Sequence, residues 1–158
     1  MRTIRLRLHV PRTSASDVYA TLADFERYPL LCEAVQNVSV TEVSEYLTVS
    51  QWEVTFRAGL LRWTEEDTFD PGALTITFRQ LEGDIDVFDG SWQCADAAEG
   101  SEVLFSARLD MGIPSLADAL EPIAARTLIA NIVSIVRGLV GSAELVASDT
   151  GSTVGSSS

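Results

Sequence analysis

Four extended runs between Trp52 and Trp92 carry their aromatic residues on one alternation phase, and this constrains the fold more than any other feature of the chain. Side chains on a strand alternate between faces with a period of two. Trp52, Val54 and Phe56 therefore share a face, as do Leu61, Trp63 and Phe69, then Leu74, Ile76 and Phe78, then Phe88 and Trp92. The Trp63 phase also carries Glu65 and Asp67, and neighbouring phases carry Gln80, Glu82 and, at the end, Asp86. Buried carboxylates are costly unless paired, so an aromatic face interrupted by acids reads as a pocket lining rather than a dry core. The competing reading is a solvated charge run, Thr64-Glu65-Glu66-Asp67, turned outward by a bulge between Leu61 and Asp67 or paired with Arg62.

These runs belong to a longer period-two region that begins at Val38 and ends near Met111. Ser44-Glu45, Ala58-Gly59, Asp70-Pro71-Gly72 and Ala98-Glu99-Gly100 are short turn signals within it, which implies an antiparallel meander. Ahead of it, Ile4, Leu6, Leu8 and Val10 alternate with Arg5, Arg7 and His9 and predict a half-buried strand with its basic side in water. A helix capped by Ser14 or Ser16 follows, with Val18, Leu22 and Phe25 as its apolar stripe, and Tyr28-Pro29 separates it from a second short helix over 30–35. After Gly112-Ile113-Pro114 a long helix is expected from about Ser115 to about Val146, roughly 45 Å if unbroken. Leu120, Ile123, Leu128, Ile132, Ile135 and Leu139 face the sheet in this reading. Ile129, Val133, Val136 and Val140 make the other side apolar, which calls for cover there, by a partner chain such as a second copy in a homodimer. Arg126 and Asn131 are polar positions within this apolar stretch, placed to meet a ligand or an inward carboxylate, although the long stem of Arg126 can equally reach solvent. The expectation is one α+β domain over 1–146 and a flexible Gly/Ser-rich tail over 147–158.

A formal charge of −12 and a pI near 4.3 exclude nucleic acid and anionic membrane surfaces as partners, because both require a basic footprint. The N-terminal run has no apolar signal core and no run reads as a membrane span, so a cytoplasmic protein is expected. Cys32 and Cys94 are far apart, with no ligand-like spacing, and read as two reduced thiols rather than a metal site or a disulfide. His9 is the only histidine and points outward by parity, which leaves no histidine for a nucleophilic triad.

The order of strand, two short helices, six antiparallel strands and long C-terminal helix resembles the START-like (SRPBCC) superfamily, and within it the polyketide cyclase/dehydrase group of aromatase/cyclases and the related coenzyme Q-binding proteins. The residues that carry the resemblance are Asp24-Phe25-Glu26-Arg27-Tyr28-Pro29, Arg62-Trp63-Thr64-Glu65 and Gly90-Ser91-Trp92. It implies a helix-grip fold, a seven-stranded antiparallel sheet curved around the last helix over a hydrophobic cavity, with Tyr28, Trp63 and Trp92 in the lining. It also exposes a departure. Aromatase/cyclases of this type carry a Ser and then an Arg on the inward phase after the strand tryptophan, and the Arg polarises a polyketide carbonyl. Those positions are Glu65 and Asp67 here, and because Arg57 and Arg79 fall on the outer phase, Arg126 is the remaining substitute.

Two carboxylates at i and i+2 on a strand stand with their roots roughly 6.5 to 7 Å apart. In an aromatic pocket their repulsion and desolvation raise at least one pKa, giving a proton-holding group beside a base. One function is therefore an enzyme that cyclises or dehydrates a poly-β-ketone, free or tethered to an acyl carrier protein. Glu65 and Asp67 would move protons, while Tyr28, Trp52, Phe56, Trp63, Phe78, Phe88 and Trp92, with Arg126 and Asn131, would hold the ligand. Such a mechanism calls for no cofactor and no metal. The alternatives are a carrier for a quinone, lipid or other apolar molecule, and a regulatory subunit that pairs through the outer helix face.

Overall fold

A computed structural model describes residues 1–56, 59–112 and 117–152, with the side chains of 117–121, 151 and 152 outside that description. Eight antiparallel strands form one sheet: β1 (Arg2–Pro11), β2 (Val35–Ser44), β3 (Leu47–Phe56), β4 (Gly59–Asp70), β5 (Thr75–Gly83), β6 (Val87–Ala97), β7 (Gly100–Asp110) and β8 (Glu144–Ser152). Their order across the sheet is β2-β3-β4-β5-β6-β7-β1-β8. The helices α1 (Ala15–Ala23) and α2 (Tyr28–Leu31) lie between β1 and β2, and α3 (Ala117–Val140) follows β7. This is the helix-grip arrangement.

Local chemistry accounts for the elements. The Ser14 hydroxyl accepts from the Asp17 amide at 3.2 Å and starts α1. Asp96 Oδ1, brought in from β6, accepts from the Ala15 amide at 2.9 Å and fixes that end of α1 to the sheet. Pro29 stands in the first turn of α2, where its missing N–H costs nothing, so α2 begins at Tyr28 rather than at the expected Leu30. Ile4, Leu6, Leu8 and Val10 on β1 and Val103, Phe105, Ala107 and Leu109 on β7 face the core by alternation and are buried.

Three expectations are corrected. The sheet has eight strands, not seven. The last helix stops at Val140, where Gly141 turns the chain with φ +86° and its amide bonds Arg137 O at 2.9 Å. Glu144–Ser152, expected as helix end and tail, instead pairs along the otherwise open edge of β1, with Arg5 and Asp149 4.0 Å apart. The rest of the expected tail, 153–158, lies outside the described residues, as do Arg57 and the expected helix start near Ser115.

The apolar back of α3 is also largely accounted for within the chain. Val133 and Val136 are buried, and β1, α1 and α2 all pack against α3. Gly138 allows the approach of α2, since a Cβ there would collide with Leu31 O. Ile129 and Val140, on the same face, are half-buried. Pro122–Val140 is, contrary to the sequence reading, long and apolar enough by composition to cross a membrane. Of its most apolar stretch, 33% is buried within the protein.

Candidate functional site

The register of β3 against β4 builds the site. Thr48 pairs with Asp67, Ser50 with Glu65 and Trp52 with Trp63. All six side chains are on the inner phase, so two hydroxyls, two acids and two indoles form three successive rungs. Trp52 and Trp63 stack with centroids 6.0 Å apart and planes 4° from parallel. The Trp52 indole N–H donates to Ser50 Oγ at 2.8 Å, and Ser50 Oγ donates to Asp67 Oδ2 at 2.6 Å. Thr48 Oγ1 donates to the same oxygen at 3.1 Å. The Trp63 indole N–H donates to Glu65 Oε1 at 2.7 Å.

Glu65 is 5% exposed and Asp67 0%. The two carboxyls stand close enough to act on each other's protonation, and Asp67 Oδ1 has no hydrogen-bond partner among the described residues. Burial raises Glu65 well above the ordinary carboxylate range, and the bond to Asp67 and its charge add to this against the Trp63 indole. Burial also raises Asp67, although bonds from Glu65, Ser50 and Thr48 work the other way. Both shifts are upward with burial as the first cause, and Glu65 is the more strongly raised of the two. The reading that turned both acids outward fails because the register shift between Thr64 and Glu65 falls on the β5 side. Thr64 pairs with Glu82 and Glu65 with Gln80, so Leu81 is the extra residue and β5 absorbs the bulge. Beyond it the parity of β5 flips, which is why Glu82 is exposed while Gln80 is half-buried and donates to Ile85 O. Asp86 is exposed as well.

Glu65 borders an aromatic chamber of about 60 Å³ between the sheet and α3. Of the expected ligand-contacting residues, Tyr28, Trp52, Trp63, Phe78, Phe88, Trp92 and Asn131 line it. Phe56 does not. It lines an adjoining space of about 30 Å³ that shares Val54, Trp63, Phe88, Leu128 and Asn131 with the first. Asp67 does not border the chamber either, since it sits behind Glu65 with no exposed surface. Arg126 is exposed and does not substitute for a carbonyl-polarising arginine, because the turn of α3 that presents Leu128, Ile132 and Ile135 inward points residue 126 away. Arg79 is outward and pairs with Glu66 at 3.3 Å. Among the described residues no basic side chain lines the chamber.

Tyr28 reaches the lining with its hydroxyl already spent on Leu22 O at 2.7 Å, so it contributes a ring edge rather than a free donor. Asn131 Nδ2 is likewise held by Thr55 O at 3.0 Å. Residues missed from sequence were Phe25 and Phe105 in the lining, and Thr48 and Ser50 behind the acids, whereas Val54, Leu128, Ile132 and Ile135 line it from the inward faces expected for them. Phe105 and the two hydroxyls stood on inward phases of their strands, a signal that the sequence carried. Cys32 and Cys94 are free and buried, as read, and burial pushes the Cys94 thiol up to about 12.

A sheet closed over one long helix, around an aromatic chamber bordered by Glu65 and Asn131, defines a helix-grip domain. The chain belongs to the polyketide cyclase/dehydrase and lipid transport family, whose pattern residues 12–133 match. It is 30% identical over 124 residues to the actinorhodin polyketide synthase bifunctional cyclase/dehydratase of Streptomyces coelicolor, a match covering 72% of this chain and 39% of that protein. The chain thus spans well under half of that relative. Among solved structures, a Thermus thermophilus protein superposes with a TM-score of 0.79 at 24% identity, covering 87% of this chain and 94% of that one. The ZhuI aromatase/cyclase of Streptomyces sp. R1128 superposes with a TM-score of 0.76 at 17% identity, covering 89% and 93%. At these identities the two structures speak for the fold.

Proposed function

We propose that the chain binds a poly-β-ketone or a related aromatic precursor in the Glu65 chamber and promotes its cyclisation and dehydration. The observation that carries this reading is the buried Glu65–Asp67 pair, one member bordering an aromatic chamber and the other sealed behind it. With both carboxyls raised by burial, the pair can hold a proton at the chamber wall. It can give that proton to a departing hydroxyl as water forms and take one from the adjacent methylene, so the proton count is unchanged after each dehydration. Glu65 is the group that meets the ligand. Asp67 positions it and stabilises the site when the proton leaves, and Ser50, Thr48 and Trp52 hold Asp67 in turn. The similarity to a bifunctional cyclase/dehydratase supports the reaction class.

The chamber is smaller than the roughly 300 to 1,000 Å³ usual for ligand pockets. A polyketide therefore needs the two spaces to merge, through movement of Trp63, Phe88 or Leu128, which border both. The ring stack and the closed lining would then fold the chain into one conformer, and positioning would supply part of the rate. Turnover of a poly-β-ketone supplied as a thioester, free or on an acyl carrier protein, tests the reading. Glu65→Gln should lower turnover about 100-fold or more while leaving binding in place; unchanged turnover would remove Glu65 from the chemistry. The carrier reading has one observation in its favour, the lipid transport that the family description includes. Recovery of an unaltered bound lipid from the purified protein, together with no turnover, would select it.

A further inference from the structure

The chamber's polar corner has a polarity of its own. One oxygen of Glu65 accepts the Trp63 indole N–H, and Glu65 borders the chamber with Asp67 buried two residues on along the same strand face. Its second oxygen can accept from a ligand O–H. Across the chamber, Asn131 has one of its two amide N–H groups committed to Thr55 O, which leaves the other and Oδ1 for a ligand. No basic side chain lines the chamber among the described residues, and Asp67 is a second acid buried beside Glu65. The rest of the wall is aromatic or aliphatic, with Phe25, Trp52, Trp63, Phe78 and Phe88 among the rings.

We propose that this chamber takes an uncharged hydroxy-aromatic or enolic ligand, with the ligand O–H donated to the Glu65 carboxyl and its flat body among the rings, and that it turns carboxylates away. A carboxylate entering this corner would meet two buried acids and no cation to replace its lost hydration, a steep cost in a low-dielectric interior. An O–H donor finds the acceptor it lost in leaving water. For a poly-β-ketone, the form recognised is the enol of a chain whose acid end is masked as a thioester or ester, and a released polyketo acid is excluded. The inference rests on the chamber being the functional site, but it concerns which ligands enter and is read without turnover.

Isothermal titration of the full chain at neutral pH with 2-naphthol, 2-methoxynaphthalene and 2-naphthoate tests it, since the three share one ring system. Binding of 2-naphthol should be at least about tenfold tighter than that of its methyl ether, the worth of one hydrogen bond, and at least about 100-fold tighter than that of the carboxylate. Glu65→Gln should keep the preference for the naphthol over its ether, because Gln retains an acceptor oxygen while its N–H faces Asp67. Glu65→Leu should erase that preference and leave binding of the ether in place. Equal binding of naphthol and ether by the unaltered protein, tighter binding of naphthoate, or binding of none of the three would overturn the proposal, and these outcomes do not depend on a variant folding. Naphthol selectivity without turnover of any polyketide would count against the catalytic reading alone. Turnover that depends on Glu65 alongside preferred binding of naphthoate would count against the selectivity alone.

Discussion

Trp52 and Trp63 face each other across β3 and β4 with their rings stacked 6.0 Å apart, and each spends its indole N–H on the polar corner, one on Ser50 and one on Glu65. The stack is therefore both a wall of the chamber and a brace for the acids. Replacing Trp63 with Phe keeps a ring but removes the donor to Glu65. Because that bond works against the upward shift of Glu65, the variant should push the Glu65 carboxyl higher still. It should also cost about 1 to 3 kcal/mol of stability, measurable by urea unfolding.

Ser50 links the two halves of the network, as donor to Asp67 and acceptor from Trp52. Ser50→Ala removes both bonds and leaves a buried indole N–H unpaired. We expect a loss of about 1 to 3 kcal/mol, and a Thr48→Val loss nearer 1 kcal/mol because only one 3.1 Å bond is broken. Urea unfolding of the two variants, side by side, checks the order. Equal losses would mean that Ser50 does not carry the bridging role.

The acid pair makes stability depend on pH with a definite sign. Both carboxyls have folded pKa values above their ordinary values of 4.5 and 3.8, so the folded protein holds more protons than the unfolded chain between those values and the raised ones. The contribution is fully present below the ordinary values and is lost as pH rises through the folded ones. Urea unfolding from about pH 5 to about pH 8 should show this decline in the unaltered protein. Glu65→Gln, which keeps the protonated shape and cannot ionise, should flatten it and be the more stable of the two at the upper end. A steeper decline in the variant would contradict Glu65 as the more strongly raised acid.

Leu128 on α3 borders both spaces beside the acids. Leu128→Ala should join them, tighten binding of bicyclic aromatic alcohols, and cost about 2 kcal/mol at most because the side chain is only half-buried. Titration calorimetry alongside urea unfolding reads both effects. A stability loss with no change in binding would place the entry route elsewhere.

The inner face of the sheet was legible in the sequence because parity along a single strand needs no knowledge of its neighbours. Trp52, Trp63, Glu65, Phe78, Phe88 and Trp92 all border the chamber as alternation predicts. What depended on neighbours was harder to read. Thr48 and Ser50 matter only because β3 is in register with β4, so that Ser50 reaches diagonally to Asp67. Glu82 was misread because the extra residue at Leu81 reverses parity beyond it, and nothing local distinguishes that residue. The helix was legible in part, since Leu128, Ile132 and Ile135 line the chamber on the face assigned to the sheet, while Arg126, which the sequence left open between ligand and solvent, is exposed. The helix stop was readable. Gly141 follows the last apolar residue, Val140, and is an ordinary C-terminal signal, so Glu144 onward was free to pair with β1.

The account turns on where one proton sits. Carboxyl carbon NMR of uniformly labelled protein, with the Glu65 resonance assigned by its absence in Glu65→Gln, measures this directly across a pH titration. We predict that the Glu65 carboxyl stays protonated well above pH 4.5, the ordinary glutamate value. A Glu65 carboxyl that titrates near 4.5 would show an exposed or independently paired acid, and would contradict the site as described.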